Sequence, residues 1–168
     1  QLFKELEFKS LLAEVETPAQ PTKVKHTYHL IDKEKQLDDF LKKVRTSKAC
    51  SFDTETTSSS PLRAELVGMS FSVRAGEAYY CALSHAQIAS EQGVALTAAL
   101  AKVKPILESA AIKKYGQNIK YDALVLARYG IALKGIAFDT MVASYLINPA
   151  KMRHNLDDIA LDYLNIKK

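Results

Sequence analysis

The chain has 168 residues, of which 48% are hydrophobic and 25% charged, and its formal net charge is +4. This composition excludes a disordered tail and a disulfide-framework protein, because the apolar fraction suffices for one core and only Cys50 and Cys81 could pair. No run has the apolar length of a membrane span and no signal peptide is evident, so we expect a soluble cytoplasmic protein with no membrane partner.

The first 25 residues are predicted to lie outside the main domain. Residues 1–16 show the apolar spacing of a short amphipathic helix. The stretch "TPAQPTKVKH" follows, with two prolines and no periodicity, which indicates a linker. We therefore assign residues 1–25 to a helix and linker between domains, and residues 26–168 to the domain proper.

The remaining elements follow an order typical of an α/β protein. Strands are predicted at 27–31, 48–54, 66–73, 78–83, 112–115 and 136–138. Helices are predicted after Asp32 as N-cap, at 96–107, at 121–129 with Gly130 closing the helix, after Asp139 as N-cap, and from Asn155 onwards. The second to fourth strands should form an antiparallel meander. The order predicts a mixed sheet with helices on its faces and sites at the carboxyl ends of the parallel strands.

Two acids end the predicted central strand in "ACSFDTETTSSS". Side chains alternate along a strand, so Asp53 and Glu55 lie on one face, about 6.6 Å apart along the backbone. Two like charges this close repel one another in a cleft, and a divalent cation such as Mg²⁺ would remove that cost. The alternative is a solvated strand end, where acids are common.

A second group of polar residues lies in "KYGQNIKYDALVLARYG", where a strand, a turn and a helix follow one another. Asp122 falls in the first turn of the helix, either as a metal ligand or as an acid favoured there by the helix dipole. Gln117, Asn118, Lys120 and Tyr121 can all contact nucleic acid. Further along, Arg153 and His154 precede a helix, where they either reach a phosphate or form a charged loop.

Taken together, these stretches resemble the 3′–5′ exonuclease (proofreading) domain of the bacterial family A DNA polymerases. "SFDTETTSSSPLRAELVGMSFSV" resembles the family's first exonuclease motif, and "KYGQNIKYDALVLARYGIALKGIAFDTMVASYLINP" resembles its second motif and the segment after it. "RHNLDDIALDYL" also matches the family's pattern. "QLFKELEFKSLL" is similar to the segment that joins the 5′-nuclease part of such polymerases to this domain. The resemblance implies a ribonuclease-H-like (DnaQ-like) sheet, hydrolysis of the 3′ end of single-stranded DNA with two Mg²⁺ or Mn²⁺ ions, and a bacterial, nucleoid-associated parent chain that also carries polymerase and 5′-nuclease domains.

The resemblance also implies roles for individual residues. Asp53 would bind both metal ions, Glu55 the ion that holds the attacking water, and Asp122 the second ion. The backbone at Thr54 and Thr56 would lie near the terminal nucleotide. The remaining nucleic-acid contacts would come from Leu62, Gln117, Asn118, Tyr121, Arg153 and His154.

Two departures from the family pattern change the expectations. The Ser-rich "TTSSSPL" follows the first motif where many relatives have a leucine, so Leu62 would supply the wedge between terminal bases. The third motif of the family, Tyr-x-x-x-Asp, is not matched by "LDYLNIKK". We therefore expect a fragment of a larger polymerase that is by itself a poor nuclease.

Two alternatives remain from the sequence. One is an exonuclease of RNA of the ribonuclease D type, which uses the same metal chemistry. The other is a domain that binds nucleic acid or supports a polymerase without catalysis; the acids at 53, 55 and 122 argue against it for the parent protein.

Overall fold

A seven-stranded mixed sheet organises residues 26–84 and 93–166, the part of the chain that this computed structural model describes. The predicted helix and linker in residues 1–25 lie outside that part. The strands are β1 (Thr27–Ile31), β2 (Ala49–Thr56), β3 (Leu66–Arg74), β4 (Glu77–Ser84), β5 (Val94–Ala95), β6 (Lys113–Gly116) and β7 (Ile136–Asp139). The helices are α1 (Glu34–Ser47), α2 (Leu96–Leu107), α3 (Ile119–Arg128), α4 (Thr140–Ile147) and α5 (Leu156–Leu164).

The sheet has the order β1-β4-β3-β2-β6-β7, and β5 pairs with β4 away from this path. The pairs β2–β3 and β3–β4 are antiparallel, whereas β1–β4, β2–β6 and β6–β7 are parallel. The predicted meander and mixed sheet are therefore confirmed. The carboxyl end of β2 lies at the centre of the sheet. It extends beyond β6, because β6 pairs only with Ala49–Ser51 at the start of β2.

The core lies on one face of the sheet, because alternate residues of the central strands point to that side. Phe52 and Phe71 pack with ring centroids 5.1 Å apart, and Phe40 of α1 covers Phe71 at 5.3 Å and Tyr79 at 4.4 Å. The helices α2 and α3 add to the same core through Val103, Ile106, Leu107, Val125 and Leu126. The opposite face of β2 carries Asp53 and Glu55, which are exposed.

Most predicted elements are present, with small shifts at their ends. The prediction that Asp32 caps α1 is wrong. The helix begins at Glu34, and the side chain of Gln36 reaches back to accept hydrogen bonds from the backbone N–H groups of Asp32 and Lys33, at 3.0 Å each. The strand β5 was not predicted, because two residues show no alternation. The predicted closure of α3 by Gly130 is confirmed by its φ of 70°.

Asn118 determines where α3 starts. Its backbone is left-handed, with φ 57°, which turns the chain from β6 directly into the helix. The helix therefore begins at Ile119, and Asp122 lies on its buried face.

Asp139 ends β7 and caps two helices at once. Its Oδ1 accepts from the backbone N–H groups of Met141 (2.9 Å) and Val142 (3.2 Å), the predicted cap of α4. Its carboxylate also accepts from Asn118 (Oδ1, 3.1 Å) and Ile119 (Oδ2, 2.8 Å) at the start of α3. Burial alone would raise the pKa of Asp139, but these four donors hold it below its usual value. The carboxylate thus joins the helix that carries Asp122 to the end of β7.

No helix in the described ranges 26–84 and 93–166 combines the length and apolar character needed to cross a membrane.

We expect Asp139→Ala to lower the free energy of unfolding by about 2 kcal/mol, since each lost helix cap costs about 1 kcal/mol. Asp139→Asn should lose about half as much, because the amide keeps one acceptor oxygen for Met141 and Val142 while its NH₂ group faces the N–H of Ile119. Urea unfolding monitored by circular dichroism measures both values. Equal losses for the two variants would contradict the double cap.

Glu77 provides a pH-dependent contribution to stability at the start of β4. Its carboxylate accepts from the hydroxyl of Tyr79 at 2.6 Å and contacts His29 Nε2 at 2.9 Å and Arg74 Nε at 2.5 Å. The hydrogen bond from Tyr79, supported by His29 and Arg74 against the effect of burial, lowers the pKa of Glu77 from 4.5 to about 2. A carboxyl whose pKa is lowered by folding stabilises the fold above its unfolded value, and that contribution is lost as the pH falls through the folded value.

We therefore expect Glu77→Gln to be less stable than the parent chain at pH 7, and the difference between the two to shrink as the pH falls from 4.5 towards 2. Urea unfolding of both proteins at a series of pH values measures the difference and cancels the titration of other groups. A difference in the free energy of unfolding that stayed constant down to pH 2 would show that these contacts do not lower the pKa of Glu77.

Candidate metal and nucleic-acid site

The acid pair lies side by side on the open face of the central strand, as predicted. Asp53 stands opposite Ser70 of β3, and Glu55 stands opposite Gly68. Partial burial raises the pKa of Asp53, and the charge of Glu55 raises it further. The two carboxylates therefore repel one another where the sheet ends, and a bound cation would relieve that repulsion.

Asp122 reaches the same end of β2 from the first turn of α3. Its Oδ1 accepts from the backbone N–H of Thr54 at 2.8 Å and from the Thr54 hydroxyl at 2.6 Å. The amide of Thr54 is free for this bond because the pairing of β2 with β6 stops at Ser51. The side chain is 1% exposed, and burial raises the pKa of Asp122 to about 6, against the Thr54 hydroxyl bond and with the help of the Asp53 charge.

These carboxylates fit a divalent metal ion for two reasons. Their oxygen atoms are suitable ligands, and a bound cation would relieve the repulsion between them. Mg²⁺ and Mn²⁺ prefer oxygen ligands, and Mg²⁺ is commonly held by one or two carboxylates together with water and substrate phosphate. Within the described parts of the chain, no three His, Cys, Asp or Glu side chains are grouped so as to hold one ion. The arrangement therefore fits a metal seated on Asp53 and Glu55, with Asp122 directed at Thr54.

The turn between β6 and α3 is tied to neighbouring segments by its side chains. Gln117 Nε2 donates to the carbonyl of His154 at 2.8 Å, and Gln117 Oε1 accepts from the hydroxyl of Thr140. Asn118 Oδ1 accepts from Lys120 Nζ at 2.5 Å. Gln117 and Asn118, which were predicted to contact nucleic acid, are partly buried, and their side chains hold the turn in place.

Tyr121 connects α3 to the Ser-rich loop 57–65. Its hydroxyl donates to the carbonyl of Ser58, and it also lies 2.6 Å from the hydroxyl of Thr56. The loop carries Leu62, whose side chain is exposed (70%). Tyr121 and Thr56 therefore hold the loop that presents the predicted wedge.

Arg153 and His154 lie together at one cavity of about 520 Å³. Arg153 is exposed and pairs with Asp158 at 3.2 Å. His154 Nδ1 lies 2.9 Å from the Ser144 hydroxyl, and its Nε2 is buried with no hydrogen-bond partner among the described residues. The cavity is lined by Lys120, Met141, Val142, Tyr145, Leu146, Arg153, His154 and Asn155.

The structure thus brings the predicted residues into three adjoining groups: the acids at the end of β2, the turn with its Ser-rich loop, and the cavity beside α4. Sequence reasoning missed the apolar wall of the cavity, of which Tyr145 is the aromatic member, 5.2 Å from the His154 ring. It also missed the second helix that Asp139 caps. An apolar helix face exposed to solvent gives no signal in the sequence that separates it from a core face.

Comparison with known proteins identifies the family. Residues 28–168 match the family model described as 3′-5′ exonuclease. The chain is 38% identical over 178 residues to a DNA polymerase I of Pseudomonas aeruginosa, and 32% identical over 157 residues to one of Chloroflexus aurantiacus. These matches cover 97% and 94% of the chain but only 19% and 16% of the relatives, so the chain spans less than a fifth of their length.

Solved structures show the same fold. Brucella melitensis NrnC with bound Mg²⁺ is 25% identical with a TM-score of 0.62, over 86% of this chain and 64% of that one. RNase D of Escherichia coli, an exoribonuclease involved in structured RNA processing, has a TM-score of 0.65 at 17% identity, over 84% and 34% of the two chains. The ribonuclease-H-like fold predicted from the sequence is therefore confirmed. With its mixed sheet, its acids at the end of the central strand and a family match over most of its length, the chain belongs to the 3′-5′ exonuclease family found in bacterial DNA polymerase I.

Proposed function

We propose that this chain is the proofreading domain of a bacterial DNA polymerase and removes nucleotides from the 3′ end of single-stranded DNA by metal-dependent hydrolysis. The observation that carries the proposal is the convergence of Asp53, Glu55 and Asp122 at the carboxyl end of the central strand, in a chain that belongs to this family. The relatives are whole polymerases, so polymerase and 5′-nuclease domains in the same parent chain, and work at the bacterial nucleoid, are part of the proposal.

The roles of the three carboxylates are those that the family resemblance implies, and the positions of the carboxylates support them. The charge of Glu55 raises the pKa of Asp53, and the charge of Asp53 raises the pKa of Asp122, so Asp53 would contribute to two Mg²⁺ or Mn²⁺ positions. Glu55 would hold one ion together with Asp53, and Asp122, whose Oδ1 is bound by Thr54, would hold the second ion directly or through water. When bound, such ions activate a water and stabilise the leaving 3′ oxygen.

Binding of the DNA strand is assigned to the groups that border the acids. Thr54 and Thr56 place the backbone of β2 beside the terminal nucleotide, and Leu62 extends from the loop as an apolar wedge. Gln117, Asn118 and Tyr121 shape the turn next to them. The positive charge of Arg153 beside the apolar cavity offers a phosphate contact with a surface for a base, and His154 lines the same cavity.

The assay is shortening of a 5′-labelled single-stranded DNA oligomer by the chain with Mn²⁺ or Mg²⁺, and we expect slow removal of nucleotides from the 3′ end. Asp53→Asn should reduce the rate at least about 100-fold, because the central carboxylate is lost from the metal site. Asp39→Asn is the matched control, since this exposed carboxylate pairs with Lys42 on α1 away from the site.

Shortening from the 5′ end, or equal rates for Asp53→Asn and the parent chain, would refute the proposal. An RNA oligomer of the same sequence tests the ribonuclease D alternative, which predicts faster loss of RNA than of DNA.

The Ser-rich loop gives a second prediction. We expect Tyr121→Phe to raise the rate of tryptic cleavage after Arg63 about two- to tenfold, because loss of one partly buried hydrogen bond makes local opening of loop 57–65 more frequent. Tyr28→Phe, which removes an exposed hydroxyl on β1, is the control and should leave the rate unchanged. Equal cleavage of Tyr121→Phe and the parent chain would show that the loop does not depend on this tether.

A further inference from the structure

The open face of the sheet carries two rows of side chains that run across β2, β3 and β4. In the first row Asp53 stands opposite Ser70, and Ser70 stands opposite Tyr80. In the second row the order is Glu55, Gly68 and Ala82. Directly opposed residues point to the same face of a sheet, so Tyr80 shares its face with both acids of the pair.

Tyr80 does not stand upright in its own row but leans across Gly68 in the next one. A β-carbon placed on Gly68 would lie 2.3 Å from the Tyr80 hydroxyl oxygen, 2.6 Å from Cζ and 2.7 Å from Cε2. Gly68 is buried although it lies on the open face, which is the result expected when the ring of Tyr80 covers it. Glycine at this position therefore provides the space for the phenol.

This lean carries the hydroxyl towards Glu55. Gly68 and Glu55 are directly paired, and the β-carbons of paired residues lie about 4.5–5.5 Å apart. The hydroxyl oxygen lies 2.3 Å from the position that a Gly68 β-carbon would take, so it lies beside the row that contains Glu55. Burial raises the pKa of Tyr80, and the charge of Glu55 raises it further, which agrees with this closeness.

We propose that Tyr80 is a positioning residue of the acid site: its hydroxyl, held over Gly68 near Glu55, would donate a hydrogen bond to the Glu55 carboxylate when that carboxylate binds a metal ion beside Asp53, and would keep it directed at that position. The proposal rests on the proposed function, because it concerns the same metal site. A neutral donor suits this task, since a lysine or arginine there would neutralise the charge that attracts the metal ion. The hydroxyl aligns Glu55 without cancelling its charge.

The test measures Mn²⁺ affinity by following the electron paramagnetic resonance signal of free Mn²⁺ during titration of the chain, with no DNA present. We expect Tyr80→Phe to weaken Mn²⁺ binding about two- to tenfold, the effect of losing one partly exposed hydrogen bond. Gly68→Ala should weaken binding to a similar extent, because its methyl group displaces the phenol. The double variant should bind no more weakly than Gly68→Ala alone, since both changes remove the same contact.

Tyr28→Phe is the matched control, because it removes an exposed tyrosine hydroxyl from the edge strand β1, and it should bind Mn²⁺ like the parent chain. Thermal unfolding reports whether each variant is folded. If Gly68→Ala does not fold, Tyr80→Leu takes its place and should weaken binding at least as much as Tyr80→Phe.

The outcomes separate the two proposals. If the parent chain binds Mn²⁺ and Tyr80→Phe binds equally well, the role of Tyr80 is refuted and the proposed function stands. If the parent chain and Tyr28→Phe both fail to bind Mn²⁺, the metal site itself is refuted and the role of Tyr80 falls with it. Additive losses in the double variant would show that Gly68 and Tyr80 act on the metal independently, which also overturns the proposal.

Discussion

Repulsion between carboxylates is the constraint on which the site depends. The central strand ends with Asp53 and Glu55 on its open face, and α3 brings Asp122 to the same place from the core side. Folding therefore concentrates negative charge at one point, and burial raises the pKa values of Asp53 and Asp122. Natural proteins accept such local cost mainly at functional sites, where a ligand supplies the missing compensation.

Thr54 lets the strand and the helix meet without adding charge. It lies on the core face between the two exposed acids, and both its amide and its hydroxyl bind Asp122. This contact fixes the distance between the first motif and the second, which are 68 residues apart in the chain. The short overlap of β6 with β2 is what leaves the amide available, so the register of the sheet determines the geometry of the acids.

Much of this could be predicted from the sequence, because its strongest signals are local. Alternation in "ACSFDTET" located the central strand and placed both acids on one face, and the amphipathic period located α2 at 96–107, the same bounds as in the structure. Asp139 was correctly predicted as a cap, and the last helix was correctly predicted to start at Asn155, since each residue lies directly before its helix. Asp32 is not a cap, because α1 begins at Glu34 with Lys33 at the N-cap position, and the side chain of Gln36 instead binds the backbone N–H groups of Asp32 and Lys33.

The rest depends on contacts between distant segments. The carboxylate of Asp139 reaches Ile119, 20 residues earlier, and Tyr80 leans over a glycine of the neighbouring strand. Neither contact leaves a periodic trace in a single sequence, because each depends on the strand register and on the direction of one side chain. The assignment of metal roles likewise came from resemblance to a family rather than from the spacing of the acids.

The shared cap at Asp139 also restricts how this domain can change in length over evolution. An insertion or deletion between Gly135 and Asp139 would shift the carboxylate relative to α3 and release the amino end of that helix, whereas the cap of α4 would move together with Asp139. The Ser-rich segment 57–65 contains no residue that caps two helices, and an insertion in this segment could leave the sheet register untouched. Variation among related domains should therefore accumulate in that segment, whereas the spacing from Gly116 to Thr140 stays constant.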